Sequence, residues 1–259
     1  MANIHPSAEV DKTAVIADTA EIGRNAYVGP HCVIGENVKI GMNAIVECHT
    51  EIGDRTILSP NAHVGGAPQD YSFKNEDTKL IIGKDCVIRE FAPIHRATTK
   101  EDWKTEIGDG CLIMALSHIG HDCKFGNNVT LVASMIPGHV HVDDFALISG
   151  YAAIHQGVHI GTMAMVSGMS RISLDVPPYC IAADPVKGRI AGLNVVGLKR
   201  RGVNAEARRE LSRALKIFLN RAYSLDEAKE KLKELEQLDE VVTFRNFIEE
   251  SSRRGITRV

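Results

Sequence analysis

The chain has 259 residues, with 30 Lys and Arg against 33 Asp and Glu and a formal net charge of −3. That near-balance argues against a dedicated nucleic-acid binder, which carries a basic excess, and no apolar run approaches the roughly 18–20 residues that span a bilayer. Aromatics are 5% and hydrophobics 44%, so the core must be built from Val, Ile, Leu and Ala.

The N-terminal stretch MANIHPSAEV has neither a basic region nor an apolar one of the secretory kind, and the expectation is a soluble, cytoplasmic protein. From Ile4 a period of six begins. Aliphatic residues stand at Ile4, Val10, Ile16, Ile22, Val28, Ile34, Ile40, Val46, Ile52, Leu58 and Val64. The register resumes at Ile82, Ile88 and Ile94, again at Ile107 through Leu131, and again at Val142 through Val166. Four positions after each aliphatic residue sits a small or slender one, such as Ala20, Ala26, Cys32 or Thr50, and Gly often follows the aliphatic residue directly. A repeat of this length predicts a parallel β-helix. The aliphatic residue points into a three-sided prism, the small one fills the corner, and Gly is expected to supply the turn conformation. About 25 hexads give about eight coils, stacked at roughly 4.8 Å into a prism about 40 Å long. Cys32, Cys86, Cys111 and Cys123 occupy the small slot and read as core filler, with no disulfide or zinc cluster implied.

Two stretches leave the register, 65–81 and 98–106, and must loop out of the solenoid; loops on a rigid scaffold often carry binding residues. A third irregularity, around Ser134–His139, shifts the register by one residue. The densest polar cluster lies beside it, at Ser117, His118, His121 and Asp122, with His95, His139 and His155 on other coils stacking imidazoles into a column. His5, His31, His49, His63, His141 and His159 read as corner polar groups.

After 202 the composition changes. Residues 203–259 hold 12 Lys/Arg and 11 Asp/Glu, whereas 1–202 holds 20 or more of the 22 glycines. The chain is therefore divided into a β-helix over 1–202 and a helical domain over 203–259. Helices are expected at about 204–222, 225–237 and 240–252, the first capped by Asn204 and the second by the capping-box pattern Ser224–Glu227.

The hexads, His118-x-x-His121-Asp122-Cys123, Gly138-His139-Val140, Ile154-His155-Gln156, Asp175-Val-Pro-Pro-Tyr179 and Gly197-Leu-Lys-Arg-Arg-Gly202 together resemble the UDP-N-acetylglucosamine O-acyltransferases of lipid A biosynthesis, over essentially the whole chain. The resemblance implies a left-handed solenoid, against the usual right-handed crossover rule. It also implies a homotrimer with active sites between prisms, and transfer of an R-3-hydroxyacyl group from acyl carrier protein to the sugar 3-hydroxyl of UDP-N-acetylglucosamine. His121 then matches the general base, Asp122 the residue that orients it, and the Gly138 N–H the oxyanion donor. His118, His139 and His155 match positions lining the acceptor and phosphopantetheine channel. Gln69 and Asp70 match glucosamine contacts, and His95, Asn194, Arg200 and Arg201 nucleotide-sugar contacts. Gly168 matches the position that sets acyl chain length, with Met169 beside it able to cap the groove. No metal or cofactor is implied beyond the phosphopantetheine that carries the donor.

Departures from the family pattern fall at Ser72, where a lysine is expected and Lys74 is near enough to substitute, at Val196, where an acidic residue is expected, and in the 180–194 stretch, which has one extra residue. Arg200-Arg201 also fits a solvated turn, and Lys199, Arg208 and Arg209 fit either a docking face for acidic carrier protein or a solvated one. Competing readings are a CoA-dependent sugar acetyltransferase, or the pathway's later N-acyltransferase, for whose extra N-terminal domain hexads starting at Ile4 leave no room. Others are a trimeric zinc lyase using His118, His121 and His139, and a non-catalytic scaffold.

Overall fold

The computed structural model describes residues 2–184, 188–250 and 254–258. The hexads fold as expected into a three-faced parallel solenoid. Its first face runs from Asn3–Ile4 to Cys180–Ala183, its second from Glu9–Val10 to Arg171–Ile172 and its third from Val15–Ile16 to His159–Ile160. Successive coils stack in parallel with inward residues in register, Ile4 on Ile22, Ile22 on Ile40 and Ile40 on Leu58. Nine strands line the second face, so the prism has nine coils where the hexad count gave about eight. The strands outside the hexad count carry Ile136, Ile172 and Ala182, all buried. Ile136 follows Leu131 by a five-residue step that breaks the hexad count without breaking the stack.

The inward aliphatic residues and the small slots are buried almost without exception from Ala20 onward, including Cys32, Cys86, Cys111 and Cys123 as unpaired thiols in the core. Burying one such Ile or Leu contributes about 2 kcal/mol. Ile4, on the first strand of the first face, is 42% exposed.

The role expected for Gly is corrected. Backbone with positive φ recurs three residues after the aliphatic one, where Asn25, His31, Asn37, Asn43 and Asn61 adopt φ between 54° and 60°, a region that Asn tolerates better than most side chains. Gly23 and Gly29 follow the aliphatic residue for another reason. A Cβ there would stand 2.8 Å from the Ile40 carbonyl oxygen and 1.6 Å from that of Glu47 on the next coil. Gly thus permits close approach of coil to coil.

The end of the first face is closed by an antiparallel strand, Arg189–Leu193, paired with Cys180–Ala183, which covers an edge that would otherwise offer free backbone groups. The extra residue expected in the 180–194 stretch concerns a segment of which 185–187 lie outside the described residues. A short helix not foreseen from sequence, α1 (Val195–Arg200), follows directly. Three helices come next: α2 (Ala205–Leu219), α3 (Leu225–Lys233) and α4 (Asp239–Glu249). Asn204 caps α2, and Ser224 with Glu227 forms the expected reciprocal capping box on α3. The helices end earlier than the expected spans, and 251–252 of the third span lie outside the described residues. The rings of Phe218 and Phe244 meet edge to face at 5.9 Å where α2 crosses α4. Among the described residues no helix is long and apolar enough to cross a membrane.

Candidate active site

Both loops leave the prism at one corner. The first connects His63–Gly66 on the second face to Lys79–Ile82 on the third, and the second connects Pro93–His95 to Lys104–Ile107 across the same corner. The next coil up turns that corner through His121 and Asp122, after Ile119 has pointed into the core. The repeat therefore places two insertions directly beneath the densest polar cluster.

Asp122 is fully buried and sits in the left-handed region at φ 57°. Its Oδ2 accepts from His121 Nδ1 at 2.7 Å and from the Thr98 hydroxyl at 2.7 Å. The Thr98 backbone N–H lies 3.1 Å from both carboxylate oxygens. Burial pushes the Asp122 carboxyl up, and the hydrogen bonds from His121 and Thr98 outweigh it, holding it below the ordinary carboxylate value. An ionised carboxylate can only accept, so His121 carries its hydrogen on Nδ1 and presents Nε2. His121 is 8% exposed, and its ring lies against Gly138, where a Cβ would stand 2.6 Å from His121 Cε1. His139 lies beside it, its ring edge to face with His121 at 5.1 Å and its Nδ1 paired to Glu101 Oε1 at 2.7 Å.

His95 and His118 form a second pair, edge to face at 5.2 Å. His95 Nδ1 donates to the Ala67 carbonyl at 2.8 Å, and the Nε2 atoms of both rings are buried without a hydrogen-bond partner. Burial lowers both, His118 to about 4 with added repulsion from His95 and His121, so both imidazoles are neutral near pH 7. The expected single column of imidazoles is thus two pairs. His155 stands apart, exposed and against the Arg254 guanidinium. An open cavity of about 740 Å³ lies alongside, lined by Lys100, Glu101, His139, His141, His159 and Arg254.

Asp70 sits on the first loop beside the exposed Gln69. The Lys100 ammonium at 2.6 Å, then the Ser72 hydroxyl and N–H, hold its carboxyl well below the usual range. The cation on Asp70 thus comes from the second loop, and Lys74 Nζ donates to the Tyr71 carbonyl at 3.4 Å. The zinc trio is not assembled either. Among the described residues the group with ligand atoms within 4.8 Å of one another is His121, Asp122 and His139, while His118 faces His95. The Asp122 oxygens are already engaged by Thr98 and His121.

Two family models match this chain. One described as UDP-N-acetylglucosamine O-acyltransferase, domain 2, covers residues 175–257, and the bacterial transferase hexapeptide model covers 31–66. The chain is 47% identical to the acyl-[acyl-carrier-protein]--UDP-N-acetylglucosamine O-acyltransferase of Burkholderia orbicola (strain MC0-3), over 100% of both. It belongs to the UDP-N-acetylglucosamine O-acyltransferase family. Among solved structures, the UDP-N-acetylglucosamine acyltransferase from Campylobacter jejuni is similar at 39% identity and a TM-score of 0.92, over 99% of this chain and 100% of that one. The Francisella novicida enzyme is similar at 37% and 0.79, over 99% and 94%.

The remaining residues matched to this family fall on other corners of the prism. Asn194 caps α1, accepting from Gly197 N–H at 3.0 Å and donating to the Met163 carbonyl at 2.9 Å, and the Arg201 guanidinium lies 4.3 Å from the Phe145 ring centroid, with Arg200 exposed beside it. Met163 and Phe145 both turn the corner from third face to first. Gly168 and Met169 turn the corner from first face to second, where a Cβ on Gly168 would meet the Gly150 carbonyl oxygen at 3.1 Å and Met169 is 74% exposed. One chain of this acyltransferase family therefore gathers His95, His118, His121, Asp122, Gly138, His139 and Asp70 at one corner and leaves Asn194, Arg201 and Gly168 on the other two. Thr98, Lys100 and Glu101 were missed from sequence as individual residues, although the loop that carries them was marked for binding.

Proposed function

We propose that the chain transfers an R-3-hydroxyacyl group from acyl carrier protein to the 3-hydroxyl of UDP-N-acetylglucosamine, the first step of lipid A biosynthesis, in the cytoplasm and as a homotrimer. The buried His121–Asp122 pair carries this reading. Its Nδ1 is locked onto an ionised carboxylate, so Nε2 is the nitrogen that takes a proton, and a positioned imidazole is the commonest general base for a hydroxyl nucleophile.

His121 Nε2 removes the proton of the sugar 3-hydroxyl as that oxygen bonds to the thioester carbonyl carbon. The carbonyl π pair moves to oxygen, and the Gly138 N–H donates to the oxyanion. The intermediate collapses with loss of the phosphopantetheine thiolate, which takes the proton back from His121. Asp122 stabilises the imidazolium between the two transfers. The protein needs no cofactor of its own in this scheme.

The trimer is supported by the three-corner distribution. Asn194, Arg200 and Arg201 reach the nucleotide, and Gly168 the acyl chain, only if a corner of one prism meets a different corner of its neighbour. A Gly at 168, stacked on Gly150, favours a long acyl chain, with Met169 at its rim. The test is an acyl-transfer assay with UDP-N-acetylglucosamine and 3-hydroxyacyl carrier proteins of several chain lengths. The parent should transfer, and His121→Ala should lose about 10²–10⁴-fold in kcat. A parent that transfers from CoA thioesters only, or a His121→Ala variant with the parent's rate, would overturn it.

A further inference from the structure

The second loop does more than leave the prism: both of its ends grip Asp122. At its start, Thr98 gives the carboxylate a hydroxyl at 2.7 Å and a backbone N–H at 3.1 Å to each oxygen. At its end, the Thr105 hydroxyl accepts from the Asp122 backbone N–H at 2.8 Å. Both threonines are buried. Between those ends the loop reaches outward, Lys100 to Asp70 at 2.6 Å and Glu101 to His139 at 2.7 Å. Among the described residues, every hydrogen bond to the Asp122 side chain other than the one from His121 thus originates in this insertion.

A carboxylate held only by His121 would be free to rotate about its terminal torsion, which is soft and roughly two-fold. With two donors on Oδ2 and the Thr98 N–H shared across both oxygens, one orientation survives, with Oδ2 facing the imidazole. We infer that Thr98 is a positioning residue for the His121–Asp122 pair and that the 98–106 insertion is a clasp built around the acid, an inference that rests on His121 as the base. Thr98 exchanges no proton with substrate; its hydroxyl fixes the plane and the ionised state of Asp122, and through it the Nδ1–H form of His121.

Thr98→Val removes the hydroxyl while keeping the side-chain shape and the backbone N–H, and Thr98→Ser keeps the hydroxyl. In the full-length protein, Thr98→Val should lower kcat about tenfold, the worth of one hydrogen bond to a charged group, with KM for both substrates unchanged. Thr98→Ser should stay within about twofold of the parent. The ¹⁵N-histidine NMR spectrum supplies a readout independent of turnover: the Nδ1–H form of His121 should dominate in parent and Ser variant and give way to a mixture of tautomers in the Val variant. The inference falls if Thr98→Val keeps the parent's kcat and tautomer, if its loss appears in KM instead, or if Thr98→Ser is as slow as Thr98→Val, which would make the site one of packing. If the parent itself transfers no acyl chain, the proposed reaction fails while the NMR comparison still decides the role of Thr98.

Discussion

Two pairs of histidines on the same corner of the prism have the same spacing and opposite consequences. His31 and His49 lie with ring centroids 5.1 Å apart, stacked at 24°, on coils below the first insertion. His121 and His139 also lie 5.1 Å apart, crossed at 89°, above both insertions. The distance in each case follows from the coil rise, so imidazole proximity alone carries no chemistry. What differs is the acid. The carboxylate within reach of His49 is Asp77, at 3.3 Å with an 84% exposed side chain, whereas that of His121 is fully buried and gripped by Thr98. A buried, oriented carboxylate fixes a tautomer and stabilises an imidazolium; an exposed one is screened by water. The second insertion turns a decorated corner into a buried, oriented His–Asp pair.

The sharpest way to break that comparison is to spoil the upper pair without touching any titratable group. Gly138→Ala places a methyl 2.6 Å from His121 Cε1, and the ring must move or turn. Misplacement of a catalytic group by about 1 Å costs on the order of 10²-fold, so kcat should fall by about that factor while the protein stays folded. A Gly138→Ala enzyme with the parent's kcat would mean that the position of the His121 ring does not limit the reaction.

The solenoid was legible because each coil imposes the same constraint on the residues stacked one coil later, and Ile22, Ile40 and Leu58 repeat it until a reader cannot miss it. His121 and Asp122 were legible because they adjoin in sequence. The function of Gly was misassigned, since what forbids a side chain at Gly29 is the Glu47 carbonyl of another coil, a partner no local rule reveals. Thr98, Lys100 and Glu101 were hidden for the same reason, their partners Asp122, Asp70 and His139 lying 24, 30 and 38 residues away. Helix α1 escaped because it is six residues long and contains Gly197, a poor helix former.

A smaller effect separates the two insertions from one another. Lys100 and Lys74 are both candidates for the cation beside Asp70, and only Lys100 touches its carboxylate. Lys100→Met should raise KM for the nucleotide sugar by no more than about fivefold with little change in kcat, since exposed ion pairs contribute little. Lys74→Met should leave both constants alone. The reverse result would move the acceptor contact back onto the first loop and detach the second from substrate binding.

The smallest expected effect tests the other half of the comparison. His31 and His49 hold left-handed turns at φ 58° and 47°, a conformation Asn adopts at Asn25, Asn43 and Asn61 on another corner of the same prism. The double variant His31→Asn, His49→Asn should therefore fold with a stability within about 0.5 kcal/mol of the parent and turn over at the parent's rate. A loss of transfer with the fold intact would show that the lower imidazoles take part in the site. That outcome would require contact with a neighbouring prism, since within one chain both insertions separate these coils from His121. Unchanged kinetics would leave burial and orientation of the acid, and not the presence of stacked imidazoles, as what distinguishes the working corner.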